Sequence, residues 1–380
     1  MKVLVLAQEI GGNAPGILYE RLLAAMSPLC RLDIAACSYK PSLQIQAGRV
    51  YQMPYPRIKH IIKIMLFSLA GRDWISRRLA GKLQKQLDRD YDIILSLCSN
   101  DRFWALEAGA CLKRSLGLPW ACYCVDAIPA PAEWIGNGPY RNAWLRLWKK
   151  IGGNIDYLAS ICDEMLAYQK SVIPDLPPVP AGTFLPPVSG SLADTKPYTS
   201  ENPVFLYAGR IYGRRTAVYL LEAFSMFLKD YPEAELVLLG LLSDFERALS
   251  GCPQDVSSHI RVEPWTDDVQ YWIDRSTALI DLDADIPGDI YLSSKMFTYL
   301  LQKRPIICET GSDSPSRRIF KGIPSILQCG HDALQLYQAM CKAAGGSADF
   351  DYSDRLGIIG ESHEAPARLV KDLEILVLRK

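Results

Sequence analysis

YLSSKMFTYLLQKRPII, residues 291–307, is the stretch whose reading decides the fold. Two serines and a lysine open a helical pattern, and a short apolar strand follows a basic turn. Ser293 or Ser294 is suited to cap the helix, because its hydroxyl can accept from the unpaired N–H groups of the first turn. Such an end gathers free donors and the positive pole of the helix dipole, which together attract a phosphate. Lys295 adds a full charge beside it. An ordinary capped helix uses the same residues, so the stretch has to be judged by its surroundings.

On both sides of it, short apolar runs alternate with helical patterns. Towards the N-terminus, strands are predicted at residues 278–282, 259–262, 235–240 and 204–208, and the stretch itself leads into strands at 305–308 and 324–328. Helices are predicted at 216–229, 269–275, 293–302 and 332–344. Residues 174–203 carry eight prolines among Ser, Thr and Gly, a composition that breaks helix and sheet and marks a domain boundary. Before it the alternation has already run once, with strands at 3–7, 32–37, 92–97, 120–125 and 157–161. Helices are predicted there at 16–26, 74–87 and 103–116. Two α/β halves follow, each with a mainly parallel sheet covered on both faces. The predicted domains are residues 1–185 and 186–360, with an amphipathic helix in 361–380 packing back on the first. Ligands of such sheets sit at the carboxyl ends of strands, so the expected site is a cleft between the two Rossmann-like domains.

Composition narrows the classes. The 380 residues exceed one typical core. Lys+Arg and Asp+Glu cancel at 42 each, which argues against wholesale nucleic-acid binding. Eleven scattered cysteines, with no secretory signal in MKVLVLAQEIGGN, read as reduced thiols of a cytoplasmic protein. No run approaches the ~18 apolar residues of a membrane span. The four histidines (His60, His259, His331, His363) are far apart, and Cys122-x-Cys124 lacks a second pair, so no metal is expected. Neither glycine loop reads Gly-x-Gly-x-x-Gly, which disfavours a dinucleotide-dependent oxidoreductase.

Three stretches, in order, resemble a known family. AQEIGGNAPGILYERLL (7–23), FLYAGRIYGRRTAVYLLEAF (205–224) and IDLDADIPGDIYLSSKMFTYLLQKRPII (280–307) are similar to the first glycine loop, the basic strand–loop–helix and the donor segment of GT-B glycosyltransferases. More narrowly they resemble the retaining glycosyltransferase family 4. The resemblance implies a nucleotide-sugar donor, UDP- or GDP-linked, held mainly by the second domain. It also implies an acceptor glycan, lipid-linked sugar or small molecule on the first, in polysaccharide or glycolipid assembly. Arg210 and Arg215 match the basic pair that holds the donor diphosphate, with Arg214 as a substitute; planar guanidinium groups suit phosphate oxygens. Gly209 permits close backbone approach or simply serves the turn. Lys295 matches the lysine of a Ser-x-Lys variant, with Ser293 and Ser294 beside it. Fixed cations there would lower the barrier as charge grows on the leaving oxygens.

The sequence also departs from the family. Thr298 stands where a glutamate usually binds the ribose, and offers one hydroxyl in place of a charged acceptor. The earlier glutamate falls on Ile290 beside Asp289, and Asp289, Asp285 or Asp283 of the acidic loop DLDADIPGD are the available substitutes. A solvated acidic turn is the plain alternative. Where many relatives carry a histidine near the sugar, this chain has Asp126, a candidate to accept the acceptor's proton or merely a loop cap. Asn100 and Asp101 are weaker candidates. Gly12 and Asn13 would lie near the acceptor or donor phosphate, or only make the turn.

Residues 57–85 interleave Arg57, Lys59, His60, Lys63, Arg72, Arg77, Arg78, Lys82 and Lys85 with apolar side chains. This pattern fits either a helix pair packed on the sheet or contact with the anionic inner face of a membrane. Two alternatives to a transferase stay open: a catalytically silent partner of an active transferase, which Thr298 favours, and a nucleotide-sugar epimerase on the same fold.

Overall fold

The computed structural model describes residues 1–100, 102–174, 176–192, 202–266, 268–345 and 350–379, apart from the side chain of His60. The chain divides into two units, Met1–Pro187 with Glu361–Lys380, and Val188–Gly360.

The first unit runs β1 (Lys2–Ile10), α1 (Ala14–Met26), β2 (Arg31–Tyr39), β3 (Ala47–Gln52), α2 (His60–Ala70), α3 (Trp74–Gln84), β4 (Ile93–Cys98) and α4 (Trp104–Leu116). It continues through β5 (Trp120–Cys124), α5 (Ala132–Ile135), α6 (Pro139–Ile151), β6 (Tyr157–Ser160), α7 (Asp163–Val172) and β7 (Ala181–Thr183). Its sheet is parallel throughout, in the order β3-β2-β1-β4-β5-β6-β7. Every residue of β4 and β5 is buried. That is why IILSLC and WACYC read as unbroken apolar runs: helices cover both faces of a parallel sheet. Trp104, Trp120, Trp144 and Trp148 are fully buried in this core. Trp148 donates its indole N–H to the Ile128 carbonyl at 2.6 Å, and Trp120 donates to Ser96 Oγ at 2.9 Å.

The second unit runs β8 (Val204–Gly209), α8 (Val218–Phe227), β9 (Glu235–Gly240), α9 (Leu242–Leu249), α10 (Gln254–Ser257), β10 (Ile260–Pro264), α11 (Val269–Asp274) and β11 (Ala278–Leu282). Then come α12 (Met296–Tyr299), β12 (Ile306–Glu309), α13 (Pro315–Ile319), β13 (Ile326–Cys329) and α14 (Ala333–Ala344). Its parallel sheet has the order β10-β9-β8-β11-β12-β13. A last helix, α15 (Leu356–Leu378), begins in the second unit and ends in the first. In the first unit Ser362 donates to the Pro186 carbonyl, Tyr157 to Asp372, and Arg368 lies over the Phe184 ring.

Two strands escaped the sequence reading. In β3 one residue of six is buried, so an edge strand carries no apolar run. β7 is three half-buried residues inside the proline-rich stretch. One helix is corrected. The helix expected at 293–302 shrinks to the four residues of α12, with Lys295 at its N-cap and no side chain capping it. Ser293 spends its hydroxyl on a buried carboxylate instead, donating to Asp281 at 2.9 Å. At the other end the buried guanidinium of Arg355 takes the carbonyls of Tyr299, Gln302 and Arg304 at 3.3, 2.7 and 2.7 Å, fixing the turn where the helix stops.

Candidate functional site

In each sheet the strand order reverses once, between β1 and β4 and between β8 and β11. Connections leave such a switch point in opposite directions and open a crevice at the carboxyl ends of the strands. The β8/β11 point holds most of the residues singled out for phosphate binding.

Lys295 lies there with its ammonium 2.8 Å from Asp281 Oδ1 and 4.6 Å from the centre of the Tyr207 ring. Gly209 makes room for it, since a Cβ at that position would meet Lys295 Cδ and Nζ at 3.2 Å. Burial works against the charge on Lys295, but Asp281 and the Tyr207 phenol outweigh it and hold the pKa above the ordinary lysine value. Tyr207 in turn donates to the Arg210 carbonyl at 2.8 Å. The guanidinium groups of Arg210 and Arg215 flank the Tyr212 ring at 5.4 and 5.7 Å. Arg210 is half exposed and ion-paired with the buried Asp244 of α9, which also takes Arg247 at 3.1 Å. Arg215 is half-buried, and its Nε is a buried donor with no partner. A buried orphan donor is costly and marks a place where an acceptor fits. Asp281 is fully buried and keeps one oxygen, Oδ2, unpartnered as well.

The structure therefore groups Gly209, Arg210, Arg215, Ser293 and Lys295 around Tyr207, Tyr212 and Asp281. Ser294 and Thr298 are half-buried alongside, and the Thr298 N–H donates to the Lys295 carbonyl at 2.9 Å. Asp289 is buried; burial and the nearby Asp283 carboxylate push its pKa up to about 7. Burial and Asp281 likewise raise Asp283, which accepts from Ser314 Oγ at 2.7 Å. Sequence reasoning passed over Tyr207, Asp244 and the pairing of Asp281. The one local signal was the alternation Asp281-Leu-Asp283, which points two carboxylates to the same face of a strand.

The β1/β4 point is a second polar cluster. Gly11 and Gly12 take φ of +72° and +79°, and a Cβ on Gly11 would fall 2.0 Å from the Lys40 carbonyl oxygen, so only glycine fits. Asn13 caps α1, its Oδ1 accepting from the Gly16 N–H at 2.9 Å. Tyr19 Oη, Ser99 Oγ and Asn100 Oδ1 are buried, and Ser99 offers the hydrogen-bonding group nearest the Tyr19 hydroxyl. Burial drives the Tyr19 phenol well above its usual pKa, with Asp126 among the nearby charges. Asp126 itself is half-buried just beyond β5, and Asp101 lies outside the described residues. Among the described residues no three His, Cys, Asp or Glu side chains are placed to hold a metal ion.

No family model and no curated protein matches the sequence. Solved structures match the fold along nearly the whole chain. Anabaena HepE in complex with UDP-glucose is 11% identical, with a TM-score of 0.67 over 98% of this chain and 100% of that one. The lipopolysaccharide outer core galactosyltransferase WaaB, in its apo form, is 14% identical, with a TM-score of 0.62 over 99% of both chains. WaaG, a glycosyltransferase involved in lipopolysaccharide biosynthesis, is 12% identical, with a TM-score of 0.64 over 98% and 99%. These are GT-B proteins, and the chain has their fold: two Rossmann-like domains, each on its own parallel sheet.

Proposed function

We propose that the chain is a glycosyltransferase that moves a sugar from a nucleotide-diphosphate donor to an acceptor hydroxyl with retention, in polysaccharide or glycolipid assembly. The observation that carries this is the meeting of Arg215 and Lys295 at the β8/β11 switch point, around Tyr207 and Asp281. As the bond from the anomeric carbon to phosphate breaks, charge accumulates on the diphosphate. A lysine already charged and held in place stabilises it without reorganising. The Arg215 Nε–H, unpartnered, supplies a directed donor to the same oxygens. The half-buried Asp126 takes the role of accepting the acceptor's proton, beside the buried hydroxyl of Tyr19. In this reading Asp283 or Asp289 contacts the ribose side in place of the glutamate that Thr298 replaces.

The test compares UDP, GDP and their nucleosides on the wild type, Arg215→Ala and Lys295→Ala. Each substitution should weaken diphosphate binding about 10- to 100-fold, the scale of a charge-assisted hydrogen bond, and leave nucleoside binding nearly unchanged. Equal losses for both ligands would remove these residues from phosphate handling. A second reading, a non-catalytic partner subunit, draws on Asp244 and Asp281, which already neutralise Arg210 and Lys295. Release of UDP or GDP from the sugar-bearing donor separates the two, since a silent partner binds without turnover. The same assay with acceptor distinguishes transfer from epimerisation.

We further infer contact with an anionic membrane through α2. Ile61, Met65 and Leu69 recur every four residues and are 75%, 58% and 78% exposed. Asp73 is the sole acid between positions 57 and 85, against eight lysines and arginines.

A further inference from the structure

We propose that Glu309 and His331 form, next to the phosphate-handling cations, a subsite for the hydroxyl groups of the donor's sugar, and that this pair sets which sugar is accepted. The inference rests on the nucleotide-sugar reading above and deepens it.

β12 and β13 are adjacent parallel strands, and Glu309 pairs in register with Cys329, two residues before His331. Glu309 Oε1 lies 2.8 Å from His331 Nδ1. The remaining polar atom of each residue is unspent: Glu309 Oε2 and His331 Nε2 are both buried and have no partner. The Glu309 side chain is fully buried, and a carboxylate oxygen left bare in a protein interior persists where a ligand meets it. His331 Nε2 has Asp285 Oδ1 at 3.9 Å, beyond hydrogen-bonding reach. Asp285 also takes the Tyr219 hydroxyl at 3.2 Å. A Cβ on Gly311 would stand 3.6 Å from Nε2, in contact with the edge of the imidazole.

The chemistry selects the ligand class. Three carboxylates, Asp283, Asp285 and Glu309, bear on His331, so a further anion is repelled. No metal-holding group of three is present among the described residues. A neutral hydroxyl suits the arrangement, since it donates to a carboxylate and accepts from an imidazole N–H. Position agrees. The Asp283 carboxylate, just past the end of the strand that pairs with β12, bears on both His331 and Arg215 and so links the pair to the cations. A donor sugar is bonded directly to the phosphate, so its hydroxyls have to fall beside the cations.

The experiment titrates the full chain with UDP against UDP-glucose and with GDP against GDP-mannose, in the wild type, Glu309→Gln and Gly311→Ala. In the pair that binds, the wild type should hold the sugar-bearing ligand more tightly than the bare diphosphate. Both variants should lose about fivefold or more of that preference, the scale of one hydrogen bond, while the bare diphosphate stays within about twofold. Gly311→Ala sets a methyl group against His331 Nε2 while leaving the Glu309–His331 hydrogen bond in place, so it reports even where Glu309→Gln disturbs folding. An unchanged preference in both variants overturns the subsite, as does a wild type that binds the diphosphate with no gain from the sugar. A wild type that binds none of the four ligands overturns the nucleotide-sugar reading itself, a different outcome from either.

Discussion

Asp289 is a carboxylate whose titration falls near neutral pH. Its folded-state pKa of about 7 stands above the ordinary aspartate value, so the folded chain holds this proton more tightly than the unfolded one. Stability from this group is complete below the unfolded value and drains away as pH rises towards about 7. His331, raised by the Glu309 hydrogen bond against the opposing effect of burial, contributes in the same direction. Asp289→Asn should therefore flatten part of the decline, seen as a smaller difference between urea midpoints measured at about pH 5 and about pH 8. Identical pH slopes in the two proteins would mean that Asp289 does not hold a proton in the folded state. Lys295 and Arg215 stand out as candidates because a basic residue at a strand end or helix start announces itself. Asp281 was not legible as the partner of Lys295, because that contact depends on register between two elements and on a glycine, Gly209, leaving the gap.

Among elements, α12 and α2 show opposite outcomes. The 291–307 stretch has helical spacing, yet Ser293 is drawn to Asp281 and Arg355 collects the carbonyls past Tyr299, so tertiary partners override local preference. The anion-attracting power assigned to a capped helix end passes to discrete charges, Lys295 and Arg215. For α2 the amphipathic pattern was visible, and the apolar face stays exposed. It is flanked by a cavity of about 400 Å³ lined by Lys63, Leu66, Phe67, Arg72 and Trp74, among others. The wild type should sediment with vesicles containing phosphatidylglycerol and much less with pure phosphatidylcholine. Binding should fall as salt rises, because surface attraction is screened within about 10 Å. Exchange of Ile61, Met65 and Leu69 for serine should abolish it at all salt concentrations, whereas a plain solvated helix would show no lipid preference in either protein.

At the scale of the molecule the alternation of strand and helix carries both α/β halves. It gave no strand order, since order is a matter of which edges pair and not of any one segment's pattern. Each unit has its own sheet and its own core. Calorimetry of the full chain should reflect this. A nucleotide diphosphate held by the second unit should raise the unfolding temperature of one transition by mass action and leave the other in place. A uniform shift of the whole profile would show that the two cores melt as one.

The first unit is interrupted in the chain: residues 361–379 supply its last helical turns, with Tyr157 reaching Asp372 across 215 positions. On the ribosome, that half begins before the second unit and gains these turns only after it. Until the whole second unit has emerged, Tyr157, Phe184 and the Pro186 carbonyl lack these partners, and a premature stop after Gly360 would injure the N-terminal half rather than the half it adjoins.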